Sequence, residues 1–581
     1  MGRHSGKCTL CLVLLLGIIT SSCMKGGGGG GGGKMLLPAP TLTSLSPSSV
    51  TAGAPPFTLT LTGSGFVAGG YITWNGNGIG NYTFVSSTQV TVLVGAPLIA
   101  GAGSASIMVA NPTVQKAPSN ALSLTIQPFT SSACVLYGMY SFFFTGFETP
   151  GAGVIPFTVA GEFGVDVDGS VSGEEDFKAP NATLPAEPIT GGTCTNGAVA
   201  NQGTLTITTA AGTSTYTFNT QTTPAPGVKG RMAENESNGT TGSGRFVFTP
   251  PSGFFSGDYV FALIGNDSSG GRMGVVGRFT DNDNNQLNTP GTLANGLGDV
   301  NDNGTVAASV SVTGNVTVPD AYSRCTASIT VGTQNLTLAF YVITSSSGFA
   351  TDIDSGASTP LLAGFVTVQA AYGQLNNGNL DAPIILNAWG VVPGPPMASD
   401  TSIGLASGFS ASPGTFNLQL DSVTDGVPNL NQDISGATYS VDTTGRGTMT
   451  YTPSGGAATS YVIYLDDFND GYMLQTSGNV GFGFFQAQTS ASLADGTFLA
   501  GTLFPPVSSS PNTADSITLS GGTISGALTG TYSILGSRGM ATVDQPVLGS
   551  DDLVFYIFGS DGFVVMGSDA VLDNGIAFLH M

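Results

Sequence analysis

Gly436-Ala437-Thr438-Tyr439-Ser440-Val441, a short turn, then Arg446-Gly447-Thr448-Met449-Thr450: both runs place a polar residue at every second position. A period of two is the mark of strands with one covered face, and two such runs joined by a short turn form an antiparallel hairpin. The pattern returns near the C-terminus as Thr529-Gly530-Thr531-Tyr532-Ser533-Ile534 leading to Arg538-Gly539-Met540-Ala541-Thr542. Weaker copies are Thr313-Gly314-Asn315-Val316 with Arg324-Cys325-Thr326, and Thr190-Gly191-Gly192-Thr193-Cys194 with Gln202-Gly203-Thr204-Leu205-Thr206. After each copy comes an aromatic strand: Tyr216-Thr217-Phe218, Leu338-Ala339-Phe340-Tyr341-Val342, Tyr461-Val462-Ile463-Tyr464 and Leu553-Val554-Phe555-Tyr556-Ile557. Opening strands such as Gly138-Met139-Tyr140-Ser141-Phe142, Gly257-Asp258-Tyr259-Val260-Phe261 and Gly496-Thr497-Phe498 precede three of them.

A sequence that repeats itself at this interval repeats a folding unit. Four units are expected, over residues 129–253, 254–375, 376–490 and 491–581, the last of them short. Many short strands joined by Asp-Gly and Asn-Gly turns predict antiparallel meanders that close as barrels or pack as sandwiches. Barrels are the preferred expectation, since closure removes the edge strands that invite aggregation. The expected fold class is therefore all-β, with tandem antiparallel barrel or sandwich repeats. The units resemble β-repeats of uncharacterised exported bacterial proteins, a resemblance that implies no activity.

Ahead of the repeats, residues 40–128 alternate in the same way, as in Thr58-Leu59-Thr60-Leu61-Thr62 and Leu122-Ser123-Leu124-Thr125-Ile126. A segment of this length suits a two-sheet sandwich. It carries Pro40-x-Leu42-x-Ser44-Leu45-Ser46-Pro47, Leu61-Thr62-Gly63-Ser64-Gly65-Phe66, Ser86-Ser87-Thr88-Gln89-Val90-Thr91-Val92, Val109-Ala110-Asn111-Pro112 and Ser119-Asn120-Ala121. Together these resemble the IPT/TIG immunoglobulin-like family. The resemblance implies an extracellular spacer or interaction domain without catalysis of its own. Trp74 is expected in the core or half-buried, not as a sugar platform.

The N-terminus reads as an export signal over residues 1–23. Arg3 and Lys7 precede an apolar run from Leu10 to Ile19, too short for a stable membrane span, and then small residues lead to Cys23. This layout resembles the bacterial lipobox, although Thr20 stands where the family usually has Leu. The resemblance implies a lipid on Cys23 and delivery to the outer membrane or cell surface; without the lipid the protein would be released. Residues 24–39, with glycine from Gly26 to Gly33, read as a tether of roughly 15 Å reach for the glycines alone.

Composition bounds the partners. The chain has 14 Lys and Arg against 36 Asp and Glu, a formal charge of -22, so nucleic acid is not an expected partner. Expected partners are the membrane, through the anchor, and an extracellular protein or carbohydrate. Three of the six cysteines fall in the signal, leaving Cys134, Cys194 and Cys325; Cys134 with Cys194 is the candidate disulfide because both lie in one unit. The only histidines are His4 and His580, which leaves no histidine-based catalytic device. No catalytic residue is assigned and the chain is not expected to be an enzyme. A carboxylate-based glycosidase built from Asp466, Asp467 and Asp470 or from Glu174 and Glu175 is the enzymatic alternative. Lipocalin-like capture of a small ligand inside a barrel is the binding alternative. No cofactor is expected except possible calcium: Asp299-Val300-Asn301-Asp302-Asn303-Gly304 has the oxygen-ligand spacing of a calcium loop, with Asp299, Asn301 and Asn303 as ligands. Asp281-Asn282-Asp283-Asn284-Asn285 and Asp166-Val167-Asp168-Gly169 are looser versions. The same residue types also make tight hairpin turns.

Overall fold

The computed structural model describes residues 39–578 apart from 80–81, 112–117, 149–154, 181, 199–200, 221–228, 236–239, 250–256, 283–290, 357–358, 395–397, 503–513, 527, 546–548, 561 and 568–575. Cys23 and the segments read as signal and tether lie outside the described residues. The described chain is all β, without an α-helix, and divides into two compact units.

The first unit is a pair of β-sheets. One has four strands in the order Thr41–Ser46, Phe57–Ser64, Gln89–Val94, Tyr82–Ser86; the other has five, Ser49–Thr51, Leu122–Gln127, Gly103–Ala110, Tyr71–Trp74, Asn77–Ile79. Alternate residues of each sheet are buried: Leu59 and Leu61 on one, Ile107, Val109 and Leu124 on the other. Trp74 is buried with them, and so is a core residue.

The second unit holds four antiparallel meanders. Gly257–Val368 and Ile384–Ala487 each form a closed barrel of eight strands taken in sequence order. Gly138–Phe248 forms a nine-stranded sheet in which the additional short strand is Cys194–Asn196; the bridges Ser170↔Thr193 and Gly191↔Thr208 draw its two ends together. The strands between Gly496 and Phe578 form an eight-stranded sheet in which the final strand, Ile576–Phe578, pairs with the first, Gly496–Thr502. The second and third are closed and the first and fourth are open, barrel-like sheets; for brevity we call them barrels one to four in chain order and count the strands of each from its start, leaving Cys194–Asn196 out of the count.

The interiors of barrels one to three are filled by the inward residues of their strands. In barrel two Tyr259, Phe261 and Leu263 of the first strand meet Leu338, Phe340 and Val342 of the sixth. In barrel one Tyr140 stacks on Phe163 at 5.4 Å, and Phe144 meets Tyr216 edge-on at 5.1 Å. The intervening residues are apolar too. Val260, Ala262 and Ile264 point outward into an apolar layer shared with Phe143 of barrel one and Trp389 of barrel three. A strand covered on both faces loses its alternation, which is why these strands read as continuous apolar runs. Each outward Val or Ile so buried contributes roughly 1.5–3 kcal/mol relative to exposure. Gly274 marks a close approach, since a Cβ there would lie 2.5 Å from Leu474 Cδ1 of barrel three.

The barrels meet in one repeated way. The first and second strands of barrel one pack against the sixth and seventh of barrel two; the same strand positions join barrel two to three and three to four. The first two strands of barrel four, Gly496–Thr502 and Ala514–Ser520, then pack against the sixth and seventh strands of barrel one, Gly212–Thr220 and Lys229–Asn235. Four barrels with a head-to-tail interface thus close into a ring within one chain, an arrangement usually built from separate subunits.

Candidate functional site

The arginine that opens the fifth strand of a repeat stands directly opposite a tyrosine of the sixth: Arg324 with Tyr341, Arg446 with Tyr464, Arg538 with Tyr556. Both side chains leave their own barrel and reach one aspartate on the third strand of the barrel before. Arg324 grips Asp176 through Nε and Nη2 at 2.7 Å each, and Tyr341 donates to the same carboxylate at 2.7 Å. Arg446 holds Asp299 at 2.8 and 2.6 Å with Tyr464 at 2.6 Å. Arg538 holds Asp421 at 2.7 Å twice with Tyr556 at 2.6 Å.

The fourth bond to each carboxylate comes from its own barrel. Ten residues after the aspartate, the backbone N–H of Ala186, Ser309 or Asn431 donates to it at 2.9, 3.0 or 2.8 Å. Those residues have φ of +51°, +53° and +54°, and in each case the register between third and fourth strands slips opposite the aspartate. A β-bulge re-aims a backbone group in this way. All three carboxylates are fully buried. Each meets a bidentate guanidinium, a phenol and an amide, so the desolvation cost of the buried charge is offset by charge-assisted bonds in fork geometry.

The electrostatics follow. Burial alone would lower the Arg324 guanidinium, but its bonds and attraction to Asp176 outweigh that and hold it above the ordinary arginine range. The hydrogen bond to Asp299 does the same for Arg446. Burial first, and the neighbouring carboxylate second, push the Tyr341 and Tyr464 phenols far up, so both remain proton donors. A carboxylate so enclosed has no lone pair free for a substrate; this arrangement fastens barrels together.

Two residues beyond the aspartate a second contact reinforces the first two interfaces. Lys178 pairs with Asp352 at 3.0 Å, both buried. Asn301 donates to the carbonyls of Gln475 and Asn479 at 2.7 and 2.8 Å. At the third interface Val423 holds that position within an apolar cluster with Val554, Tyr556 and Val564.

The residues of the Asp299 loop, expected as calcium ligands, have protein partners in this geometry. Asp299 is occupied by Arg446, Asn301 by barrel three, and Asn303, at φ +48°, is the turn residue of a hairpin. A cation beside Asp299 would face a guanidinium. Among the described residues no group of three His, Cys, Asp or Glu is placed to hold a metal ion. The looser Asp281 segment lies partly outside the described residues, and Asp166 and Asp168 serve their own tight turn. Cys134 and Cys194 are joined as a disulfide with Cα atoms 5.7 Å apart, while Cys325 is a buried free thiol pushed up by burial.

The carboxylates of the glycosidase alternative fall in two places, the sixth-to-seventh-strand hairpin of barrel three and the third strand of barrel one. Asp467 and Asp470 pair across the hairpin between sixth and seventh strands of barrel three. Burial pushes Asp466 beside them up to about 7. Glu174 lies at the first interface, opposite Glu162 and 3.5 Å from Arg324; burial and Asp320 push it up to about 7. Trp389 is buried edge-on against Phe482 and Phe484, and Tyr372 lies 3.7 Å beneath the Arg278 guanidinium, so neither is a free sugar platform. Phe142 and Phe144 fill the core of barrel one; Phe143 between them joins the layer between barrels. Barrel four holds a small cavity lined by Leu519, Tyr532, Leu553, Phe555, Phe563 and their apolar neighbours.

No family model matches the chain, and no curated protein matches it.

The tyrosines and arginines of the interfaces were visible as repeat landmarks, but their role was not. Their partner lies 148, 147 or 117 residues earlier, and no local pattern links the two. The available signal was an arginine and a tyrosine returning in register in three copies while the first copy has Gln202 and Asn219 instead.

Proposed function

We propose that the protein is a lipid-anchored cell-surface module whose role is structural or adhesive: an IPT/TIG-like domain and a pinned ring of barrels that present a fixed outer surface. The observation that carries this reading is the threefold Arg–Asp–Tyr fastening between barrels whose interiors are filled with side chains. Such construction suits holding surfaces in place more than admitting a substrate. The signal-like N-terminus and Cys23 support export and anchoring, and the charge of -22 supports a protein or neutral carbohydrate partner over nucleic acid.

The test uses the bacterium that makes the protein. Surface proteolysis of intact cells should remove the protein, and deletion of its gene should reduce attachment to host matrix or to neighbouring cells. Restoration should need Cys23 and should fail with Cys23→Ser. Attachment unchanged by deletion would overturn the adhesive reading. A second reading, capture of a small apolar ligand, rests on the cavity of barrel four; native mass spectrometry of the purified chain would show the bound molecule.

A further inference from the structure

The ring has a seam. Barrel four, which should supply the carboxylate for barrel one, has a third strand reading Thr523-Ile524-Ser525-Gly526, without an acid. Barrel one has Gln202 and Asn219 where its successors have arginine and tyrosine. The fastening is therefore absent among the described residues of the interface that closes the ring, and unpartnered hydrogen-bond donors lie beside it.

Three of them lie in one row on the outer face of barrel one. Asn219 is opposite Arg231, and Arg231 is opposite Arg245, across the sixth, seventh and eighth strands. The neighbours Phe218, Met232 and Phe246 point into the barrel, so this row points out of it. Asn219 is 2 % exposed and Arg231 3 %. Asn219 Nδ2, Arg231 Nε and Arg245 Nε are buried with no hydrogen-bond acceptor. Among the described residues no carboxylate forms an ion pair with either arginine.

A buried guanidinium beside a half-buried one, without a counter-ion among the described residues, is costly. Burial, and for Arg231 the repulsion of Arg245, lowers both to about 10, so both still carry full charge at neutral pH. Arg245 gains part of its compensation from the faces of Phe365 and Phe349, 4.2 and 5.1 Å from its guanidinium carbon. Arg231 has no such ring. Arg245 itself is half-buried, beside the half-buried Phe365 of barrel two.

In the pinned interfaces the matching strand positions are Tyr341 and Phe349 in barrel two, and Tyr464 and Tyr472 in barrel three. Tyr341 and Tyr464 donate there to a carboxylate of the preceding barrel, whereas Phe349 has no donor and the Tyr472 hydroxyl pairs with Thr367. We propose that at the seam a small oxyanion, a phosphate or a carboxylate group, binds Asn219 and Arg231, with Arg245 beside it, and takes the place of the missing aspartate. Strands are spaced about 4.8 Å apart, so neighbouring donors of the row can share one such anion.

The test is calorimetric titration and thermal unfolding of the full chain with inorganic phosphate and, separately, succinate, against chloride at equal ionic strength. At least one oxyanion should bind saturably and raise the unfolding temperature; which of them does so tells phosphate from carboxylate. Arg231→Gln should weaken that binding at least tenfold while raising the unfolding temperature of the anion-free protein, because it removes an uncompensated buried charge. A purely structural arginine would give the opposite sign in the anion-free protein. Asn219→Ala is the second variant and should also weaken binding. No saturable effect of either anion, or the same effect in Arg231→Gln, would overturn the proposal. So would binding that emerges only in Asp515→Asn, the one acid in the first two strands of barrel four, since the chain would then be filling the site itself.

Discussion

Replacing Arg446 by Met should destabilise the junction of barrels two and three by about 3–5 kcal/mol, the usual cost of removing one partner from a buried ion pair. The substitution deletes two charge-assisted bonds to Asp299, at 2.8 and 2.6 Å, each worth roughly 1.5–3 kcal/mol. Tyr464 and the Ser309 amide remain, so Asp299 keeps two of its four bonds. The Arg446 side chain is 17 % exposed, and water reaching the vacated space moderates the loss toward the lower end. Asp299→Leu alone leaves Arg446 and Tyr464 unpaired and should cost a similar amount. The double variant should cost much less than the sum, because a buried pair exchanged for apolar groups is often close to neutral. The assay is a double-mutant cycle by urea unfolding of the full chain, with hydrogen exchange of the sixth strand of barrel three as a local probe in case the barrels melt in steps. A coupling of at least about 2 kcal/mol is expected, above the 0.5 kcal/mol at which independent sites add. Additive single-variant effects would refute the reasoning, since the pin would then be a contact without energetic consequence.

Four further outcomes follow. The carboxyls of Glu174 and Asp466 are pushed up to about 7 in the folded chain; the folded state therefore binds more protons than the unfolded, and stability falls as pH rises from the ordinary carboxylate range through about 7, so the unfolding temperature should be higher at pH 5.5 than at pH 8. Reduction of Cys134–Cys194, which closes a loop over a separation of 60 residues, should lower the stability of barrel one by up to roughly 4 kcal/mol, read as earlier urea unfolding with a reductant present. Ala186 holds φ +51° at its bulge, and Ala186→Gly should stabilise by up to about 1 kcal/mol by relieving that conformation, whereas loss of stability would mean its methyl group packs usefully. Cys325, 1 % exposed with its thiol raised by burial, should resist thiol reagents in the native chain and react fully only in denaturant.

The strands were legible because alternation survives where one face meets solvent, as in Thr438 to Val441 or Arg446 to Thr450. It failed to announce the ring because Tyr259 to Ile264 is apolar at every position. Such a run tells that both faces are covered, without telling by what. The Asp299 loop misled for a related reason. Asp, Asn and Gly at alternate positions satisfy a calcium loop and a hairpin equally well, and the deciding partner, Arg446, belongs to another barrel. Bulges at Ala186, Ser309 and Asn431 left no local mark, since none of the three is the glycine that a positive φ usually favours.

The unfastened ends of the series have a consequence for how copies of this chain meet. A head-to-tail contact has no intrinsic stopping point and can run on into fibres or exchange halves between molecules. Here the leading barrel offers neither the arginine nor the tyrosine, and the trailing one no acid in its third strand, so a second chain that docks end to end finds none of the bonds that make the internal junctions firm. Within one chain the first two strands of barrel four already cover the sixth and seventh of barrel one, so covalent linkage, and not the Arg–Asp–Tyr bond, completes the circle at that junction.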